Sequence, residues 1–323
     1  VKKFLKDLAL FIGLTLLIYP VLVIVWGELI PGRLIFNLNY PRGGYGHTYS
    51  RIHEIDQYPN VDVLFVGSSH VYRGFDTRIF AAHRITSFNL GSSLQTPIQT
   101  KLLLERYLDI FNPKLIIYEV CHDSFSSDGV ESSLDIIAND RIGWDTWQMV
   151  GDTLNIKTIN ALIFGLYKQQ FSSNANFIEP ATKNGDTYIS GGYVEKTSAY
   201  YQPQKHTLSS WVLNSKQTKT FRQTVNMINE REIKLLVVQA PVTKILFDSY
   251  ANNNEIDAWF KELAPYVNFN NYSQLQLSDT QHFYDDQHLN QIGVELFNNQ
   301  LIDYLFSHAL VNQELRYSFV DMF

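Results

Sequence analysis

Val61-Asp62-Val63-Leu64-Phe65-Val66-Gly67-Ser68-Ser69-His70 decides how the chain is read. Its first seven residues are apolar apart from one aspartate and end on glycine, as a short strand buried on both faces should. Three further runs repeat the pattern: 86–91 (TSFNLG), 114–120 (KLIIYEV) and 234–240 (KLLVVQA), with 267–272 as a weaker fifth. Helical patterns fall between them. Thr96 and Pro97 supply an N-cap and a first-turn proline, Ile98, Leu102, Leu103, Arg106 and Tyr107 continue the stripe, and Asn112-Pro113 ends it. Residues 218–232 and 291–306 suit two more helices. Strands alternating with helices predict a parallel sheet covered on both faces, an α/β fold built as a three-layer α/β/α sandwich.

Composition limits the alternatives. The 323 residues carry a net charge of −6, against the basic excess of a nucleic-acid binder. Apolar residues make up 45% and aromatic ones 14%, which excludes intrinsic disorder. Cys121 is the single cysteine, so no intrachain disulfide and no multi-cysteine metal site can form.

Residues 8–26 (LALFIGLTLLIYPVLVIVW), from Leu8 to Trp26, hold no charge. At about 1.5 Å per residue the run nearly matches a hydrocarbon core of about 30 Å. Pro20 is tolerable there, and the run lacks the small-x-small ending of a cleaved signal peptide. Lys2, Lys3 and Lys6 precede it, so the expected arrangement is a retained single-pass anchor in the cytoplasmic membrane, amino end inside. The division expected is an anchor at 1–30, a connector at 31–60 and one α/β domain at 61–323. An insertion at about 124–217 interrupts that domain and carries possible helices near 134–138 and 157–170.

Open parallel sheets place their sites at the carboxyl ends of strands. Three such ends run into polar residues: Gly67-Ser68-Ser69-His70, Gly91-Ser92-Ser93 and Cys121-His122-Asp123. A fourth cluster, 285–290 (DDQHLN), precedes the last helix. Serine, histidine and aspartate converging on one edge are the ingredients of nucleophilic acyl transfer. Ser69 needs a base, which His288 can be, and Asp285 can orient the imidazole, with the adjacent Asp286 a weaker candidate. His70 is a candidate pocket wall and Arg73 a candidate anion binder, though an ion pair with Asp76 at i+3 competes for it. His70, His122, Asp123 and His288 could hold zinc, but no helical His-x-x-x-His spacing supports it, and neither metal nor cofactor is expected.

These residues and their order resemble the SGNH, or GDSL-like, hydrolase superfamily, in its membrane-anchored branch associated with polysaccharide O-acylation. Gly67-Ser68-Ser69 stands where the superfamily has Gly-Asp-Ser, Asn89-Leu90-Gly91 where it has its second block, and Asp285-x-x-His288 where it has Asp-x-x-His. The resemblance implies Ser69 as nucleophile and Gly91 as a backbone oxyanion donor. Its third block, Gly-x-Asn-Asp, is here Val120-Cys121-His122-Asp123, so His122 takes the place of the amide donor. It also implies an acyl donor, a cell-surface glycan acceptor and a multi-pass membrane-bound O-acyltransferase as partner. An esterase or deacetylase with the same triad, or a noncatalytic glycan-binding scaffold, remains open beside that function.

Overall fold

A computed structural model describes residues 1–30, 37–171, 177–196, 199–270 and 275–312. Five parallel strands form the central sheet: β1 (Val63–Gly67), β2 (Ser87–Gly91), β3 (Leu115–Glu119), β7 (Lys234–Gln239) and β8 (Tyr266–Asn268), in the order β2-β1-β3-β7-β8. The five runs read from sequence coincide with them, and positions 271–272 of the weak fifth lie outside the described residues. Alternation along each strand divides the core into two layers. Leu64, Val66, Ile116, Tyr118 and Val237 face the helices Pro97–Phe111 and Ser215–Glu230. Val63, Phe65, Ile117, Leu236 and Val238 face the last helix, Gln291–Ser307. The result is a three-layer α/β sandwich.

The insertion contains more structure than its sequence suggests. Helices span Val130–Asn139 and Ile156–Phe171, near the two expected, and a third spans Trp144–Thr153, where none was expected. An antiparallel sheet of β4 (Thr182–Lys183), β5 (Asp186–Ile189) and β6 (Tyr193–Lys196) follows, also unanticipated. It is fastened to the sandwich by the Asn89 N–H donating to Gly191 O at 2.8 Å. At Gly192 the backbone has φ +86, and a Cβ would stand 2.6 Å from Asn89 O, so no other residue fits this junction. The stretch read as a connector holds the helix Thr48–Glu54 and a 3₁₀ turn at Ile55–Gln57, with Arg51 wholly buried.

The N-terminal helix Lys2–Leu29 is long and apolar enough to cross a membrane, with a mean hydropathy of 2.8 over its most apolar window. Its carboxyl-terminal half packs on Ile156–Phe171: Tyr19 donates to Asn160 Oδ1 at 2.5 Å, and Glu28 pairs with Lys168 at 2.5 Å.

Two largely buried arginines hold the insertion to the sandwich. Arg73 forks onto Asp186 at 2.8 and 3.1 Å, and Arg106 reaches Asp140 and Asp145 at 2.5 Å each. Burial alone would raise the Asp186 carboxyl, but its Arg73 hydrogen bonds outweigh that and hold it below 3.8. The Arg106 hydrogen bond does the same for Asp145. Folded values below unfolded ones stabilise the fold above the ordinary carboxylate range and lose that stabilisation as pH falls through the depressed values. The urea midpoint should therefore drop below about pH 4, and less steeply in an Asp145→Asn, Asp186→Asn double variant. An equal drop in that variant would remove these pairs from the account.

Candidate active site

β1 ends at Gly67 with φ +148, where a Cβ would lie 2.8 Å from Glu119 O, so glycine is required for the turn. Ser68 caps the helix Ser69–Gly74 through its side chain, which accepts from the His70 N–H. Ser69 thus opens a helix at the carboxyl edge of the sheet. Its hydroxyl lies 2.8 Å from His288 Nε2, across 219 positions of sequence.

His288 comes from the turn ahead of the last helix, closed by a bridge between Phe283 and Leu289. Asp285 accepts from the His288 ring Nδ1–H at 2.9 and 3.0 Å, and its Oδ1 also takes the backbone N–H groups of Gln287 and His288 at 2.8 and 2.7 Å. A carboxylate held by two amides fixes the tautomer that leaves Nε2 facing Ser69. Tyr284 stacks on the imidazole at 5.5 Å and His70 at 5.0 Å. Burial lowers the His288 pKa from 6.5 although Asp285 pulls it up, so the ring is neutral and able to take a proton at neutral pH. Burial would raise the Asp285 carboxyl, yet its bond to His288 keeps it below the usual value. Asp286 stands outside this chain of contacts, 3.6 Å from His206 Nε2.

The remaining candidates divide. A Cβ on Gly91 would lie 2.9 Å from Ser68 O, which places this glycine against the Ser68–Ser69 turn. His70, Cys121, His122, Asp123, Gln239 and Gln287 line one narrow cleft. His122 sits at the start of the helix His122–Ser126, its Nδ1 2.7 Å from Asp123 Oδ1 and its ring stacked on Tyr250 at 4.9 Å. Arg73 corrects the expected i+3 pairing, because Asp186 occupies its guanidinium while Asp76 is bound by Arg78. With both forks committed, Arg73 fastens the inserted sheet rather than offering an open anion site.

Sequence reading passed over Glu119. It is buried at the end of β3, accepts the Ser68 N–H at 3.4 Å and the Ser68 hydroxyl at 3.2 Å, and burial pushes its carboxyl up to about 8. The signal was available: one acid in an otherwise apolar strand, KLIIYEV, is out of place unless it has a partner.

Fold and site together define an α/β protein with a serine, histidine and aspartate aligned at the carboxyl edge of a parallel sheet. No protein-family profile and no curated protein matches the sequence. Its structural neighbours are GDSL-like lipase and acylhydrolase proteins. One, from Bacteroides fragilis NCTC 9343 and assigned as an acylhydrolase, is similar over 80% of this chain and 95% of its own, at 12% identity and a TM-score of 0.39. A GDSL-like lipase from Bacteroides thetaiotaomicron VPI-5482 is similar over 76% of this chain and 88% of its own, at 11% identity and a TM-score of 0.39.

Proposed function

We propose that the protein is a membrane-anchored serine acyltransferase acting on a cell-surface glycan outside the cytoplasm. The observation that carries this reading is the 2.8 Å contact from Ser69 Oγ to His288 Nε2, with Asp285 behind the ring. Ser69 attacks the acyl carbonyl of the donor while His288 takes its proton, and the leaving group departs protonated by the imidazolium. The resulting acyl-serine is attacked by a glycan hydroxyl, whose proton passes to His288 and from there to the departing Ser69 Oγ, which restores the hydroxyl and the neutral imidazole. The Gly91 N–H is the proposed donor to the tetrahedral oxyanion. His122 and Asp123, lining the adjacent cleft, are placed to meet the acceptor.

The apolar N-terminal helix favours this reading over a freely diffusing esterase, since it keeps the site near a membrane-delivered acyl group. A multi-pass O-acyltransferase is the proposed source of that group. Hydrolysis uses the same triad with water as acceptor. The test is to form the acyl-enzyme on the detergent-solubilised protein with a small activated acetyl ester, then add glycan oligosaccharides. Transfer of the label to sugar in preference to water supports the reading, and release only as free acid replaces it with the esterase.

Orientation has its own test. Lys2, Lys3 and Lys6 beside the apolar run favour a domain outside the cytoplasm. A C-terminal reporter that fluoresces only in the cytoplasm should therefore be dark, and an alkaline phosphatase fusion active. A bright reporter would reverse the topology and rule out a cell-surface acceptor.

A further inference from the structure

Beside the nucleophile lies a second cluster, which acyl transfer leaves unused. The Ser68 hydroxyl is 3.1 Å from His70 Nδ1, 3.2 Å from Glu119 Oε2 and 3.4 Å from Cys121 Sγ. His70 Nδ1 and Glu119 Oε1 stand 3.9 Å apart, and His70, Glu119 and Cys121 each bring a ligand atom within 4.8 Å of the other two. All four residues are buried. Local geometry explains the grouping. Glu119 ends β3 and Cys121 is extended, so the two, being two positions apart, share a face. Ser68 and His70 come from the turn at the end of the neighbouring strand β1.

Hydrogen bonding alone does not close this cluster. Glu119 Oε1 is buried without a partner, and 3.9 Å is too long for a bond between Glu119 Oε1 and His70 Nδ1. A buried oxygen left in that state is costly. A cation would span the gap. Bonds of about 2.0–2.3 Å at tetrahedral angles put ligand atoms about 3.3–3.7 Å apart. Three separations within the set, Ser68 Oγ to His70 Nδ1 at 3.1 Å, Ser68 Oγ to Cys121 Sγ at 3.4 Å and His70 Nδ1 to Glu119 Oε1 at 3.9 Å, bracket that spacing, and the Cys121 Sγ lies within 4.8 Å of the other two ligand atoms.

Ligand chemistry selects the ion. A thiolate with an imidazole suits zinc and excludes magnesium and calcium, which take oxygen ligands. One thiolate and one carboxylate neutralise a divalent cation, so the complete set can be buried without net charge. We propose that His70 Nδ1, Glu119 Oε1 and Cys121 Sγ bind a zinc ion, with the Ser68 hydroxyl in the fourth position. The ion ties the end of β1 to the end of β3 and so stiffens the turn that carries Ser69. It enters by the cleft that His70 and Cys121 line with His122. This departs from the sequence expectation of no metal. Of the four residues first considered for zinc, only His70 belongs to this set.

The test uses the full-length protein in detergent, stripped with a chelator under reducing conditions and titrated with Co²⁺. A thiolate-to-cobalt charge-transfer band should grow, saturate at one equivalent and vanish when Zn²⁺ is added. Cys121→Ser should remove the band. Ser68→Ala should keep it, because the thiolate remains, while weakening Co²⁺ binding by removal of the fourth ligand. Should Cys121→Ser fail to fold, Glu119→Gln serves instead, with weakened binding expected. No band in folded wild-type protein, a band that survives Cys121→Ser, or unchanged affinity in Glu119→Gln would overturn the site. None of these readouts depends on whether Ser69 forms an acyl-enzyme.

Discussion

Ser69→Ala abolishes labelling by a fluorophosphonate and lowers turnover of a small activated ester by about 10⁴-fold or more. The expectation follows from the single contact through which the hydroxyl is activated: His288 Nε2 lies 2.8 Å from Ser69 Oγ. A serine without its base is a weak nucleophile, and a base without its serine has nothing to activate. His288→Ala should therefore cost about as much, and the double variant hardly more than either, since the two residues act as one unit. Asp285→Asn should be milder, retaining about 10- to 100-fold more activity than Ser69→Ala. Asp285 orients the ring and supports its charged form without touching the proton in transfer. The measurement is single-turnover burst kinetics with the four variants in parallel, folding checked by circular dichroism. Undiminished labelling of Ser69→Ala would end the enzymatic reading and leave the scaffold.

What could be read from the residues follows their burial. β1, β3 and β7 are enclosed on both faces, so each is dominated by an apolar run that needs no context to recognise, while β2, equally buried, carries Ser87 and Asn89 among its apolar residues. β8 has three half-buried residues at the sheet edge, and its sequence is correspondingly faint. The helix Trp144–Thr153 leaves Trp144 and Trp147 exposed, which blurs the apolar stripe that would have announced it. The β4–β6 sheet is short and polar and takes its order from contacts with Asn89, Arg73 and Arg51. Such contacts cross more than a hundred positions, 113 for Arg73 to Asp186 and 141 for Arg51 to Gly192, and leave no local period. Arg73 illustrates the point: Asp76 is the visible neighbour, while its actual partner is 113 positions away. Glu119 failed for a different reason. It was written into a strand as an anomaly, and only the fold reveals that Ser68 stands against it.

Arg51→Met destabilises the protein by about 3–5 kcal/mol, the largest loss expected from any residue outside the triad's turn. The guanidinium is wholly buried and uses each of its nitrogens on a backbone carbonyl. Nη1 donates to Gly91 O at 2.9 Å, Nε to Gly192 O at 3.1 Å and Nη2 to Gly46 O at 2.7 Å. One side chain therefore joins the end of β2, the inserted sheet and the segment following the N-terminal helix. Tyr72 covers its face at 4.7 Å. Methionine fills much of the volume but strands three buried carbonyls, and their lost partners set the size of the effect. Removing the charge also relieves its desolvation, which opposes that loss and keeps the estimate below the sum of three charged hydrogen bonds. Arg51→Lys retains the charge but not the planar fork, so it should fall between methionine and wild type. Urea unfolding of the three proteins checks this order. The site gives a second readout, because the carbonyl gripped by Nη1 belongs to Gly91, which packs against the Ser68 carbonyl. Loosening it should slow fluorophosphonate labelling of Ser69 in Arg51→Lys under conditions where that variant is fully folded. A methionine variant within about 0.5 kcal/mol of wild type would show that water or neighbouring donors satisfy these carbonyls, and that Arg51 is not what holds them.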